Sequence, residues 1–168
     1  MQRQTQRQTS TRNLDPAEIL MPAVPIQNCP IATSLGVLGR KWTMLIIRDL
    51  GMRKIQRFNQ LLGSISGLTP RILSIRLKEL EKEGFIQRAN SGGRPNGVHW
   101  SLTEKGVDTI PILIQFVAFG SKWYANRVFA DQTPRSLAEV YPRWDTGEMG
   151  IKMEHRQAPL RSTVSSSI

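Results

Sequence analysis

The sequence is poor in the residues that build disulfide frameworks, metal sites and catalytic centres. It contains one cysteine and two histidines in 168 residues, so an intramolecular disulfide is excluded. His99 and His155 lack the spacing to Cys29 or to carboxylates that a metal site requires. A glycine-rich phosphate loop and the strained turn that carries a catalytic serine are also missing. These absences argue against an enzyme and predict a protein without a cofactor.

Long apolar stretches are missing as well. No apolar run reaches the roughly 18 residues that a helix needs to cross a bilayer. The Gln-, Arg- and Thr-rich N-terminus lacks the apolar core of a secretion signal, and a single cysteine suits a reducing compartment. The sequence therefore predicts a cytoplasmic protein with no membrane attachment.

Acidic residues are scarce relative to basic ones. The chain carries 23 Lys and Arg against 13 Asp and Glu, a net charge of +10. Residues 29–130 hold 15 of these basic residues and six of the acidic ones, so most of the excess lies in one central segment. Such a segment attracts the phosphate backbone of nucleic acid. An anionic membrane surface is the competing partner, but the basic residues are not gathered on one amphipathic helix.

Two helix signals joined by a turn follow one another in the basic segment. Residues 57–62 carry apolar side chains at helical spacing, and the glycines and serines of residues 63–67 break the pattern. Thr69 can cap the next helix, whose first position is a proline. Gly84 is a typical residue just after a helix end. We therefore expect the second helix over about residues 69–83.

This second helix has an apolar stripe of leucines and an opposite face that is mostly basic. The face and its flanks carry Arg71, Ser74, Ile75, Arg76, Lys78 and Lys82. A charged face is often simply solvated, and that is the alternative interpretation. An exposed Ile75 between Arg71 and Lys78 nevertheless suits a DNA major groove. There an apolar side chain can contact a thymine methyl while an arginine reads guanine.

A β-hairpin is predicted directly after the second helix. Residues 85–88 and 98–102 have the character of short strands, and the turn formers between them include one cation, Arg94. An arginine flanked by glycines suits a contact beside a phosphate or in a narrow minor groove; the alternative is a mobile loop that touches nothing. Two helices followed by a hairpin have the layout of a winged helix-turn-helix. The predicted fold is mainly α with one small hairpin (α+β).

Further helices are predicted on both sides of this unit. Residues 31–38 and the strongly apolar residues 41–50 precede it, and a short first strand is expected at residues 53–56. After the hairpin, one long helix capped by Thr103 is predicted to run to about residue 127. Its apolar residues cover more of its surface than one core face needs. We interpret this helix, with residues 31–38, as the surface of a homodimer; the alternative is that it completes the monomer core.

The predicted organisation is one domain with two tails. The domain spans residues 29–127, which is a natural size for a single core. Residues 1–28 are predicted to be a flexible extension, and residues 128–168 a tail that is partly ordered or mobile.

Several short sequence blocks, in a fixed order over roughly residues 29–124, resemble one known family. The blocks are residues 29–30 (CP), 39–43 (GRKWT), 57–61 (RFNQL), 67–69 (GLT), 73–81 (LSIRLKELE), 84–88 (GFIQR) and 100–106 (WSLTEKG). They resemble the HxlR family of bacterial and archaeal transcriptional regulators. The resemblance implies a homodimeric winged-helix protein that binds a pseudo-palindromic DNA operator. The chain departs from the family pattern at Arg40, where glycine is usual, and at Trp100, where tyrosine is usual.

Cys29 is the candidate sensor of a regulatory signal. It precedes a proline at an expected helix start, where backbone N–H groups and the helix dipole stabilise a thiolate. Some HxlR members resemble this arrangement and respond to oxidants or electrophiles through an N-terminal cysteine. The alternative is a buried, inert cysteine that packs as a small apolar residue.

The sequence thus predicts a homodimeric, DNA-binding transcriptional regulator with double-stranded operator DNA as its partner and a small oxidant or electrophile as its effector. The recognition helix (about 69–83) would enter the major groove beside a wing (about 85–102). The predicted DNA contacts are Arg57, Thr69, Arg71, Ser74, Ile75, Arg76, Lys78 and Arg94. The alternative function is a winged-helix module that binds protein rather than specific DNA.

Overall fold

The four helices that precede the hairpin, and the hairpin itself, lie in the predicted order. The computed structural model describes residues 22–89 and 98–142; the predicted wing tip with Arg94 and most of both tails lie outside these ranges. Within the described residues, eight helices accompany one antiparallel two-stranded sheet. They are α1 (Pro30–Leu38), α2 (Thr43–Gly51), α3 (Phe58–Ser64), α4 (Pro70–Lys82), β1 (Ile86–Ala89), β2 (His99–Leu102), α5 (Glu104–Val107), α6 (Ile110–Trp123), α7 (Ala125–Val128) and α8 (Leu137–Val140). The predicted mainly α fold with one small hairpin is confirmed.

The core lies where α2, α3, α4, α6 and the hairpin meet. Its fully buried side chains come from all five of these elements, and they include Ile46, Ile47, Leu61, Leu73, Leu77, Leu80, Ile86 and Ile114. The predicted leucine stripe of α4 is among them. Because α4 is held to the core along this stripe, its opposite face remains in solvent.

A buried carboxylate fastens α2 to α3. Asp49 is fully excluded from solvent and accepts hydrogen bonds from Arg48 Nε at 2.7 Å, from Arg53 Nη1 at 3.3 Å and from Ser64 Oγ. A buried charge is tolerated when it is paired and hydrogen-bonded in this way. The pairing orients α3, the first helix of the helix-turn-helix, against the core helix α2.

The predicted first strand at residues 53–56 is wrong in extent. Pairing with the hairpin begins only at Gln56, whose carbonyl accepts from Trp100 N at 2.9 Å, and at Arg57, which forms an isolated bridge with His99. Lys54 has a φ of +56°, which lies in the left-handed region and interrupts an extended chain. The contact with the hairpin is therefore limited to the residues that lead into α3.

The single long helix predicted over about residues 103–127 is also wrong, because the segment forms three helices. The Thr103 side chain caps only α5, accepting from Gly106 N at 3.2 Å. The chain turns at residues 108–109, and α6 then starts with Pro111 in its first turn. Proline has no N–H and cannot continue a preceding helix, whereas it is tolerated at a helix start. The apolar periodicity runs across the turn and concealed it.

Gly106 packs against the hairpin with no room for a side chain. A Cβ at this position would lie 2.1 Å from the Phe85 carbonyl oxygen, a backbone atom that cannot turn aside. We therefore expect Gly106→Ala to destabilise the fold by about 1–3 kcal/mol through overpacking, measured by urea unfolding. Gly63→Ala is the control, because its Cβ would meet nothing within 4 Å and alanine favours a helix. Equal losses for both variants would contradict this packing.

Candidate nucleic-acid interface

Helix α4 presents the predicted basic face to solvent. Its N-cap is Thr69, whose side chain accepts from Ile72 N at 3.3 Å, and the helix ends within one residue of the predicted bound. Arg71, Lys78 and Lys82 are exposed, and Ile75 between them is 40% exposed. Because Ile75 is this accessible, packing of the core does not explain an apolar residue at the centre of the basic face.

Arg76 differs from the other predicted contacts, because its guanidinium is turned toward the α1–α2 corner. Its Nε donates to the Lys41 carbonyl at 3.0 Å and its Nη1 to Glu79 Oε2 at 2.5 Å. Arg40 pairs with the other carboxylate oxygen at 3.0 Å. Burial acts to raise the pKa of Glu79, but the hydrogen bonds from Arg76 and Arg40 outweigh it and hold the pKa below its ordinary value. Arg76 is thus engaged within the protein.

A cleft of about 690 Å³ runs between the start of α3, the middle of α4 and the base of the hairpin. It is lined by Arg57, Phe58, Asn59, Gln60, Ser74, Leu77, Lys78, Arg88, Val98 and Trp100. Six of these lining residues have cationic, amide or hydroxyl side chains. Such side chains are the groups that contact DNA phosphates. The cleft brings together three predicted contacts: Arg57, which is the N-cap residue of α3, and Ser74 and Lys78 of α4.

The cleft also contains residues that the sequence reasoning did not select. Asn59 and Gln60 lie in the first turn of α3, and their position in the first helix of the predicted motif was the available signal. Arg88 of β1 is anchored by Glu81, with Nε 3.1 Å from the carboxylate, and its guanidinium lies 5.0 Å from the centre of the Trp100 ring. The anchoring holds this cation at the edge of the cleft.

His99 is half-buried at the start of β2. Its Nε2 is excluded from solvent and has no hydrogen-bond partner among the described residues. The bridge from His99 to Arg57 brings a further chain segment against this part of the hairpin. His99 therefore belongs to the base of the wing.

Comparison with known proteins identifies the family to which this chain belongs. The HxlR-like helix-turn-helix family matches residues 37–128, more than half of the chain. The chain belongs to the HxlR family. Among its relatives, the uncharacterized HTH-type transcriptional regulator BH0655 of Halalkalibacterium halodurans is 37% identical over 97 residues, which cover 58% of this chain and 86% of the relative.

Two further comparisons also match this chain to transcriptional regulators. The uncharacterized HTH-type transcriptional regulator sll1512 of Synechocystis is 36% identical over 95 residues, covering 56% of this chain and 70% of the relative. The structure of the transcriptional regulator YodB of Bacillus subtilis in its reduced form matches with a TM-score of 0.50 at 30% identity, covering 57% of this chain and 94% of YodB. The resemblance seen in the sequence is confirmed, and this HxlR protein is a winged-helix transcriptional regulator.

A second surface of this HxlR regulator is apolar. Helix α6 exposes one stripe, formed by Ile112, Phe116, Phe119 and Trp123, with exposures between 43% and 63%. A groove of about 780 Å³ between α1, α2 and α6 continues this stripe onto Ile31 and Leu35 of α1. We call the stripe and these two α1 residues the apolar surface. A contiguous apolar patch on a small domain marks an interaction site. Among the described residues, no helix is both long and apolar enough to cross a bilayer.

Cys29 lies next to the apolar surface. It is exposed, so the burial that the alternative interpretation assumed is not found in the single chain. It is the N-cap residue of α1, and its carbonyl accepts from both the N and the Oγ1 of Thr33 at 3.0 Å. The thiol is therefore accessible at the start of a helix that carries Ile31 two residues later.

Proposed function

We propose that this HxlR regulator binds a pseudo-palindromic DNA operator as a homodimer, with α4 of each protomer in a major groove. The observation that carries the proposal is the solvent face of α4. There Arg71, Ile75 and Lys78 point away from the core on a helix that three buried leucines pack against the core. Arginine reads the edge of guanine, and an apolar side chain packs on the thymine methyl.

The proposed contacts divide into base-reading and backbone-binding groups. Arg71 and Ile75 read bases, with Ser74 beside them. Arg57 and Lys78 hold the phosphate backbone in the cleft beside α4. The Thr69 oxygen is occupied as the helix cap, which leaves its O–H to donate to a phosphate. Arg76 is omitted, because it is bound to Lys41 and Glu79, and Arg94 remains a prediction from the sequence.

The apolar surface is the proposed dimer interface. Its α6 residues alternate in steps of four, three and four, the spacing of a helix that packs lengthwise on another helix. A two-fold dimer sets its two recognition helices about 34 Å apart, one turn of DNA, so that both enter successive major grooves on one side of the duplex. We also propose that the protein acts in the cytoplasm, where such operators are found.

Selection of bound sequences from random duplex DNA tests this function. The homodimer should enrich two related half-sites, arranged with two-fold symmetry at a fixed spacing of about 10 base pairs. Enrichment of a single half-site would contradict the dimer. Absence of any enriched motif would contradict sequence-specific binding.

We further propose that Cys29 senses a small oxidant or electrophile. Its exposure, its place at the start of α1 and its closeness to the apolar surface support this role, and a structural neighbour, YodB, was solved in a reduced form. With one cysteine per chain, an oxidant would remove two hydrogens from a Cys29 thiol and a second thiol. That second thiol belongs to the other protomer or to a small molecule.

Cys29→Ser should abolish the effect of diamide or benzoquinone on operator affinity. For the wild type we expect a change of about 5- to 150-fold, the usual range for coupled sites, measured by fluorescence anisotropy with and without the reagent. Addition of dithiothreitol should reverse the diamide effect. A Cys29→Ser protein that still responds, or a wild type that does not, would refute the sensor.

A further inference from the structure

The corner between α1 and α2, residues 39–42, contacts the helix-turn-helix through Trp42, Lys41 and Arg40. Trp42 adopts a left-handed conformation, with φ +77°, and its ring lies against Gly67 in the turn before α4, where an added Cβ would be only 3.4 Å from the ring. The neighbouring Lys41 carbonyl accepts the hydrogen bond from Arg76 of α4. The corner therefore touches both the turn and the recognition helix.

Arg40 extends this contact back to α1. Its Nε donates to the Gly36 carbonyl of α1 at 3.0 Å, and its Nη1 pairs with Glu79 Oε1 of α4, also at 3.0 Å. One guanidinium thus links the last turn of α1 to the C-terminal part of the recognition helix. A glycine at this position could form neither contact.

We propose that Arg40 is a positioning residue for DNA recognition, which acts through Glu79 to set the place of α4 relative to α1. The inference rests on the proposed function, because α1 belongs to the proposed dimer surface and α4 to the proposed DNA surface. The distance between these two helices in one protomer determines the distance between the two recognition helices of the dimer. The link therefore restricts the half-site spacing that the dimer accepts.

Two other roles for Arg40 lead to different results. As a direct DNA contact, Arg40 would bind a phosphate. Its loss would then lower the slope of the salt dependence by about one, for the operator and for random duplex alike. As a surface ion pair without function it would change nothing but stability. The side chains of Arg40 and Glu79 are 41% and 32% exposed, so water screens their attraction. We expect an effect of about three- to fivefold on affinity.

The test uses the full-length dimer, a duplex carrying the selected operator and a random duplex, titrated at several KCl concentrations. Arg40→Ala should weaken operator binding about three- to fivefold and leave the random duplex and the salt slope unchanged. In a Glu79→Gln background, Arg40→Ala should not lower the operator affinity further, since Arg40 and Glu79 act as one unit. Arg135→Ala is the matched control, because it removes the same charge and breaks a pair with Asp131 of similar exposure.

A second readout is the tolerance of the dimer for altered operators. Insertion or deletion of one base pair between the half-sites should weaken the wild type more than Arg40→Ala, because the variant lets α4 shift relative to α1. Arg40→Lys keeps a positive charge opposite Glu79 but cannot also donate to Gly36 in the same geometry. Its tolerance for altered spacing should fall between those of the wild type and Arg40→Ala. Thermal melting of each variant separates these effects from a loss of folding.

Several outcomes would overturn the role of Arg40. They are an unchanged operator affinity, a salt slope that falls equally for both duplexes, an undiminished effect in the Glu79→Gln background, or a spacing tolerance equal to that of the wild type. A wild type that prefers no duplex would refute the proposed function itself, and the positioning role with it. A wild type that selects an operator while Arg40→Ala behaves like Arg135→Ala would refute the positioning role alone.

Discussion

Phe116→Glu is expected to convert the dimer into a monomer and to weaken operator binding by about 100-fold or more, because linked half-site binding is lost. Phe116 is 59% exposed in the single chain, so glutamate disturbs little of the monomer core. In a dimer that buries the α6 stripe, the same glutamate would be an unpaired charge away from water, which is strongly unfavourable. Sedimentation velocity reports the oligomeric state, and fluorescence anisotropy reports the affinity.

Gln115→Glu is the matched control for this change. Residue 115 precedes Phe116 on α6 and is exposed. It lies on the flank of the apolar stripe, so the added charge can stay in water at the rim of the interface and should disturb the dimer far less than Phe116→Glu. Circular dichroism should show that both variants are folded. A Phe116→Glu protein that remains dimeric and binds the operator normally would show that α6 does not form the interface.

Arg71→Ala is expected to weaken operator binding by about 1–3 kcal/mol, which is the range for loss of one base-reading arginine. Random duplex should lose far less, because only the operator presents the matching base. Arg71 lies in the first turn of α4, one residue after the helix start, and N-terminal residues of a recognition helix contact base edges. Competition titrations with operator and random duplex measure the two affinities.

Lys82→Ala provides the comparison on the same helix. Lys82 is the last residue of α4 and is exposed, so it reaches at most a phosphate. Its removal should weaken operator and random duplex by similar factors and lower the salt slope by about one. If Arg71→Ala also weakened both duplexes equally, Arg71 would be a backbone contact, and the assignment of base reading to the start of α4 would fail.

Helix α4 could be predicted from the sequence because every signal that defines it is local. Thr69 caps it, three leucines spaced along one face hold it to the core, and Gly84, with φ +74°, allows the chain to leave it. Each of these features depends on neighbours within a few residues. The bounds of α4 and its exposed face could therefore be predicted from these local signals.

The roles of individual side chains on the flank of α4 depend on tertiary packing. A helical projection places Arg76 beside the DNA face, but it cannot show that residues 39–42 come back against this flank and engage Arg76 and Glu79. The burial of Asp49 has the same origin, because the partner Ser64 lies 15 residues away in sequence. Long-range partners of polar residues leave no periodic pattern in the sequence.

The break between α5 and α6 was missed for a related reason. Apolar residues continue at helical spacing through residues 107–114, and Pro111 is compatible with a bend as well as with a new start. The crossing of Gly106 on the Phe85 carbonyl is a contact between segments 21 residues apart. A contact of this range leaves no trace in the sequence periodicity.

The most direct test of DNA recognition by α4 is the salt dependence of duplex binding by the full-length protein. We predict that the logarithm of the affinity for the selected operator falls steeply and linearly with the logarithm of the KCl concentration, with a slope of about −0.9 for each phosphate contact. The operator should stay well above random duplex at every concentration. Absent or salt-independent duplex binding would contradict the account and favour a winged-helix module that binds protein.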